Sequence, residues 1–222
     1  MVVGVVPAAG SAARLQPLDR SKEMLEVRDR PVLEYLVERM RAAAADEIRV
    51  VTRPEKKDVA EHAERLGATV VLGRPEHVSA SLVAGLVGLD GDDVVLFGFP
   101  DTVWEPVDGF APLRALVEAG EDLALGLFEG ADLERSDVVV LDEGGRVSAI
   151  DVKPVRPRSS WIWGCGTARA SLLSGTARDA EPGVYFDRLA RQRTIAAIKL
   201  SNMFIDIGTP ESLAALRAGE SA

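Results

Sequence analysis

The sequence predicts an α/β protein: a single αβα-sandwich domain, residues 1–222, built around a mixed sheet. Three observations predict it. Short β-branched runs alternate with amphipathic helical stretches through the first 130 residues, as in a sheet covered by helices on both faces. Beyond that point two strands flank a glycine turn, which adds antiparallel pairing. A chain of 222 residues buries roughly 70% of the surface its unfolded form exposes, enough for one large core.

The elements follow in order. "MVVGVVP", "EIRVVT", "ATVVLG", "DVVLFGF" and "DLALGLF" read as buried strands. "PVLEYLVERMRAAA" sets Pro31 at a first helical position and lines Leu33, Leu36, Val37 and Met40 along one face. "PEKKDVAEHAERLG" repeats the plan from Pro54, with Val59, Ala63 and Leu66 as its stripe, His62 beside it on the helix surface, and Gly67 as the C-cap. His77 falls in a loop, without cysteine or carboxylate at metal-site spacing. "SDVVVLDEGGRVSAIDVKP" is a hairpin turning at Gly144 and Gly145, and "WIWG", if extended, puts Trp161 and Trp163 on one face for core or subunit packing. "TIAAIKL" and "MFIDIG" add late strands, and "TPESLAALRAG" closes the chain as a helix capped by Thr209 with Pro210 following.

Composition narrows the partners. With 26 basic against 35 acidic residues the net charge is −9, which excludes the basic stripe of a nucleic-acid surface. Small anions remain open as substrates, because screening over ~8 Å lets a few cations in a cleft outweigh distant carboxylates. No apolar run approaches the ~20 residues of a membrane span, and the N-terminus lacks the pattern of a signal peptide. The expectation is a soluble, cytoplasmic protein with no membrane partner; a homo-oligomer stays open. Cys165 is the single cysteine, excludes an internal disulfide, and reads as a small buried residue.

The stretch "VVGVVPAAGSAARLQPLDRSKEML" carries the chemistry. A buried strand runs into Ala8, Ala9, Gly10, Ser11, Ala12 and Ala13, side chains small enough to let backbone N–H groups approach phosphates. Neither GxGxxG nor GxxxxGK[ST] is satisfied. Arg14 and Lys22 follow, either as solvated loop cations or as phosphate ligands.

"AAGSAARLQPLDRSKEMLEV" resembles the signature of the sugar-1-phosphate nucleotidylyltransferases, glucose-1-phosphate thymidylyltransferase-like, with Gly10, Arg14, Leu15, Pro17, Lys22, Leu25 and Val27 in register. "VVLFGFPDT" resembles the family's strand ending in a metal-binding Asp, "IDVKP" its EKP segment, and "FIDIGTPESL" its WxDxGTPExL; the four segments are collinear over residues 2–216. The resemblance implies a Rossmann-like, GT-A-like mixed sheet. It implies transfer of a nucleotidyl group from a nucleoside triphosphate to a sugar-1-phosphate, with release of pyrophosphate.

On the same resemblance, Arg14 holds the β- and γ-phosphates, Lys22 the α-phosphate, and Lys153 the sugar phosphate, while Asp101 and Asp206 bind Mg²⁺. Ser79 and Ser81 stand where the family contacts the base, or else cap a helix. Four departures set the chain apart. Ala12 stands for Gly, Ser21 for Pro, Phe99 and Pro100 precede the metal Asp in place of Gly, and Val152 replaces the sugar-contacting Glu. An isopropyl group cannot accept a sugar hydroxyl, and Asp151 points to the other face of a regular strand. Two further readings therefore stay open: a nucleotide-sensing module without turnover, and a cytidylyltransferase acting on a non-sugar phosphorylated alcohol.

Overall fold

The computed structural model describes residues 1–11, 15, 17–193, 195–201, 203–208 and 214. The apolar opening run forms β1 (Val2–Pro7), flanked in parallel by β4 (Glu47–Thr52) and β6 (Val94–Gly98), with β5 (Thr69–Leu72) parallel beyond β4. Side chains alternate along these strands. Val2 and Val6 of β1 join one core cluster, Val3 and Val5 the other.

Each face is covered by helices. Helices α1 (Val32–Ala42), α2 (Lys57–Arg65) and α4 (Phe110–Glu118) contribute Leu36, Val59 and Leu113 to the first cluster. Helices α3 (Val78–Gly85), α5 (Ala170–Leu173) and α6 (Pro182–Ala190) contribute Leu82, Leu173 and Phe186 to the second. The layering is the αβα arrangement expected.

Antiparallel pairing enters through β11 (Trp161–Arg169), which runs against β6 on one edge and β8 (Leu123–Glu129) on the other. The hairpin of β9 (Asp137–Leu141) and β10 (Val147–Val152) joins β11 at Ile162, and β12 (Ala196–Ser201) lies parallel to β8. The hairpin turn closes where expected: Asp142 Oδ1 accepts from the N–H groups of Gly144 and Arg146, and Gly145 holds φ +77°.

Several local expectations change. Pro31 is the residue before α1, paired with Glu26 in a short ribbon of β2 (Glu26–Val27) and β3 (Arg30–Pro31), because its ψ of 136° keeps it extended. Pro54 does not start α2. It begins a turn closed by Lys56 N–H to Arg53 O at 3.0 Å, and the helix opens three residues later. His62 is tucked between helices, Nε2 to Glu34 Oε1 at 2.8 Å.

The "MFIDIG" strand leaves the main sheet: β13 (Phe204–Asp206) pairs antiparallel with β7 (Thr102–Trp104). Buried Arg39 anchors that ribbon, its Nε donating to Trp104 O at 2.8 Å. A third small cluster, including Leu25, Tyr35, Val103 and Ile207, packs beneath it. Thr209, Pro210 and most of the predicted closing helix lie outside the described residues.

Candidate active site

The carboxyl ends of β1, β4 and β6 open on a cavity of about 390 Å³, where open parallel sheets bind ligands. At the end of β1, Ala9, Gly10 and Ser11 form part of its wall. A Cβ on Gly10 would lie 4.0 Å from Lys22 Nζ, so a small residue there leaves the loop backbone against that ammonium.

Lys22 sits in a 3₁₀ turn (Lys22–Met24) held from below by α2: Asp58 accepts from both the N–H and the hydroxyl of Ser21 at 2.8 Å. Burial works against ionised Asp58, but those hydrogen bonds outweigh it and hold its carboxyl below the usual range. The Lys22 side chain reaches Asp101 Oδ2 at 2.5 Å. Burial alone would lower the pKa of this ammonium; Asp101, Glu23 and Asp206 around it outweigh that and raise it.

The two segments that carry Asp101 and Asp206 are joined through backbone register. Asp206 pairs with Thr102, the residue after Asp101, and Ile207 N–H donates to Asp101 O at 3.0 Å. Thr102 Oγ1 donates to Phe99 O at 2.9 Å and holds the turn through Pro100. Hard carboxylate oxygens beside a phosphate-sized cleft fit Mg²⁺, which accepts one or two carboxylates and completes its octahedron with phosphate oxygens and water. No third protein ligand joins them among the described residues.

The opposite wall comes from the antiparallel half. Lys153 at the end of β10 pairs with Glu181, and Asp137 stands across the hairpin from Val152. Val152 is not in the wall; Asp137 is. Trp163 Nε1 donates to Asp137 Oδ2 at 3.3 Å, and its ring lies 5.0 Å from that of Phe99, tilted by 43°.

Burial first, then Glu181, pushes the Asp137 carboxyl up to about 6, against the opposing effect of Lys153 and the Trp163 hydrogen bond. Its ordinary value is 3.8, so between these values the folded protein holds a proton the unfolded chain has lost. Stability from this group is full below the unfolded value and is lost as pH rises through the folded one. Discounted for partial exposure, the loss is on the order of 2 kcal/mol. Asp137→Asn is therefore expected to exceed wild type in stability at pH 8, the difference shrinking as pH falls through about 6 and vanishing only below 3.8. Urea midpoints across that range check it; a difference independent of pH would show that Asp137 does not titrate there.

Of the residues singled out in the sequence, Ala9, Gly10, Ser11, Lys22, Ser81, Asp101, Lys153 and Asp206 line one cavity. Ala8 does not, and its N–H is committed to Val51 O at 2.8 Å. Ser79 is buried in the body of α3 and is no cap; the cap is His77, whose Nδ1 accepts from Ala80 N–H at 3.1 Å. Ala12, Ala13 and Arg14 lie outside the described residues. Sequence reasoning missed Arg53, His77, Asp137 and Glu181, all in the wall. Cys165 is buried, and burial pushes its thiol up, which leaves it inert.

Residues 4–147 match the profile of the MobA-like NTP transferase domain. Curated relatives include a glucose-1-phosphate thymidylyltransferase of Neisseria meningitidis, 27% identical over 71% of this chain and 58% of the relative. Another, from an Actinoplanes species, is 30% identical over 71% of this chain and 54% of the relative. The chain thus aligns with little more than half the length of these proteins. The UTP–glucose-1-phosphate uridylyltransferase AglF of Haloferax volcanii is 26% identical over 93% of this chain and 91% of that protein. Two solved structures share the fold. One is a Bacillus anthracis protein provisionally described as a glucose-1-phosphate thymidylyltransferase, with TM-score 0.87 and 19% identity over 100% of this chain and 96% of that one. The other is a UDP-glucose pyrophosphorylase complexed with UDP-glucose, with TM-score 0.82 and 17% identity over 99% and 98%. No helix among the described residues is long and apolar enough to cross a membrane.

Proposed function

The chain belongs to the MobA-like NTP transferase domain family, and from that premise we propose that it transfers a nucleotidyl group from a nucleoside triphosphate to a sugar-1-phosphate. The observation carrying this reading is the Lys22–Asp101 pair, with Asp206 on the neighbouring strand, set beside the Gly10 loop in the wall of one cavity.

The reaction forms a bond from a sugar-1-phosphate oxygen to the α-phosphorus and breaks the bond to the β-phosphate, releasing pyrophosphate. The attacking oxygen is already an anion, so no side-chain nucleophile or base is required. Catalysis then rests on alignment and on neutralising charge.

In this reading the N–H groups of Gly10 and Ser11 cradle the triphosphate, joined by Arg14. Lys22 Nζ lies against the α-phosphate as its oxygens gain charge. Asp101 and Asp206 hold Mg²⁺, which when bound neutralises phosphate charge and aligns the leaving group. Lys153 receives the phosphate of the sugar-1-phosphate. Asp137, cross-strand partner of Val152, supplies the sugar-facing carboxylate that position 152 lacks. Ser81 and His77 stand on the nucleoside side. The triphosphate substrate places the enzyme in the cytoplasm on the same reading.

A panel of nucleoside triphosphates crossed with sugar-1-phosphates, read by Mg²⁺-dependent pyrophosphate release, tests it. Glucose-1-phosphate with dTTP or UTP is expected to turn over. Binding of triphosphate without turnover across the panel would leave a nucleotide-sensing module.

A further inference from the structure

The small-residue loop is held by its carbonyls. Lys56 Nζ donates to Ala8 O at 2.8 Å, to Gly10 O at 3.0 Å and to Glu23 Oε2 at 2.7 Å. Arg53 Nε donates to Ala9 O at 2.7 Å, and its Nη2 to Pro75 O at 3.0 Å. Three successive carbonyls are thus tied to the loop between β4 and α2. In a trans peptide the next N–H points opposite the carbonyl. Fixing the carbonyls of residues 8–10 therefore fixes the N–H directions of Ala9, Gly10 and Ser11, the residues in the cavity wall.

Lys56 spends all three of its protons on these partners and has none for a ligand. Its third bond reaches a different segment. Glu23 adjoins Lys22 in the 3₁₀ turn and is 0% exposed. Its other oxygen, Oε1, is buried without a hydrogen-bond partner among the described residues. An ion pair buried with an oxygen unsatisfied adds little to stability compared with apolar residues of the same size, so stability alone does not explain its presence.

We propose that Lys56 is a positioning residue for nucleotidyl transfer, locking the N–H groups of the loop and the Lys22 turn into one rigid frame around the triphosphate. Lys56 closes the Pro54 turn that precedes α2, and its ammonium reaches the loop that follows β1. This assignment rests on the nucleotidyltransferase reading.

The test must separate positioning from the cost of an orphaned charge. Lys56→Met alone leaves Glu23 buried and unpaired, and is expected to lower the melting temperature as well as turnover. Glu23→Gln combined with Lys56→Met removes both charges, and should regain most of the lost melting temperature. Its Kd for UTP or dTTP with Mg²⁺, measured by calorimetry, should still be weakened about tenfold and kcat lowered about 10²-fold, the effect of a misplacement near 1 Å. A double variant with wild-type melting temperature, and with Kd and kcat within twofold of wild type, overturns the proposal. If the double variant does not fold, Lys56→Arg serves, since it keeps the charge beside Glu23 but changes the donor geometry. An unchanged melting temperature with triphosphate KM raised severalfold supports the proposal, and an unchanged KM overturns it. Wild-type protein that binds no nucleoside triphosphate of the panel overturns the nucleotidyltransferase reading itself, and the positioning role with it.

Discussion

Asp101→Asn is expected to lower kcat/KM for pyrophosphate release by about 10³-fold, roughly 4 kcal/mol of transition-state stabilisation. The amide keeps the shape of the carboxylate but removes the charge that holds a divalent ion. Raising Mg²⁺ should therefore recover part of the rate. The substitution also takes the nearest partner from Lys22, but Asp206 and Glu23 remain close to that ammonium, so the fold should survive. Circular dichroism and a Mg²⁺ titration of kcat check both points. A kcat/KM within threefold of wild type would remove Asp101 from the metal site.

Lys22→Met tests the other half of the pair and has an unusual signature. Loss of a charged donor aimed at the developing charge is expected to lower kcat by 10²–10³-fold, about 3–4 kcal/mol. Yet Lys22 Nζ occupies Asp101 Oδ2 at 2.5 Å and so competes with Mg²⁺ for that oxygen. Without it, the apparent affinity for Mg²⁺ should rise severalfold while turnover falls. These opposite movements separate a phosphate-facing cation from one that merely balances Asp101. If kcat holds while Mg²⁺ affinity rises, Lys22 is a counter-ion and not a catalytic residue.

Most strands and the first two helices were legible because the pattern that encodes them is local; α4, α5 and α6 were not read from it. Two features were hidden for physical reasons. The strand β11 reads poorly in "WIWGCGTAR" because Gly164 and Gly166 look like breakers. A Cβ at Gly164 would meet Phe204 at 2.3 Å, and one at Gly166 would meet Phe97 at 2.5 Å. These glycines make room for aromatic rings from other strands, a need invisible in the segment itself. The start of α2 was misread because Pro54 suits both a first helical turn and a β-turn. The Arg53 and Lys56 hydrogen bonds to the β1 loop accompany the second.

The candidate site divides in the same way. The small-residue loop, Lys22, Asp101, Lys153 and Asp206 could be named from a motif, since spacing within a segment survives in the sequence. Asp137 could not: it reaches the cavity because β9 pairs with β10 in a register that sets it across from Val152. Glu181 arrives on the residue preceding α6, 28 positions after the lysine it pairs with.

By itself the sequence determined the alternation of strands and helices, the late hairpin, and which short stretches hold the charged groups, because each depends on residues near one another in the chain. Only the tertiary structure decided that Lys22 lies on Asp101 across 79 positions, that β13 leaves the main sheet to bring Asp206 beside it, and that Lys56 ties the loop to the Lys22 turn. Those contacts depend on strand register and on packing between distant segments, and neither is written in the periodicity of any single element.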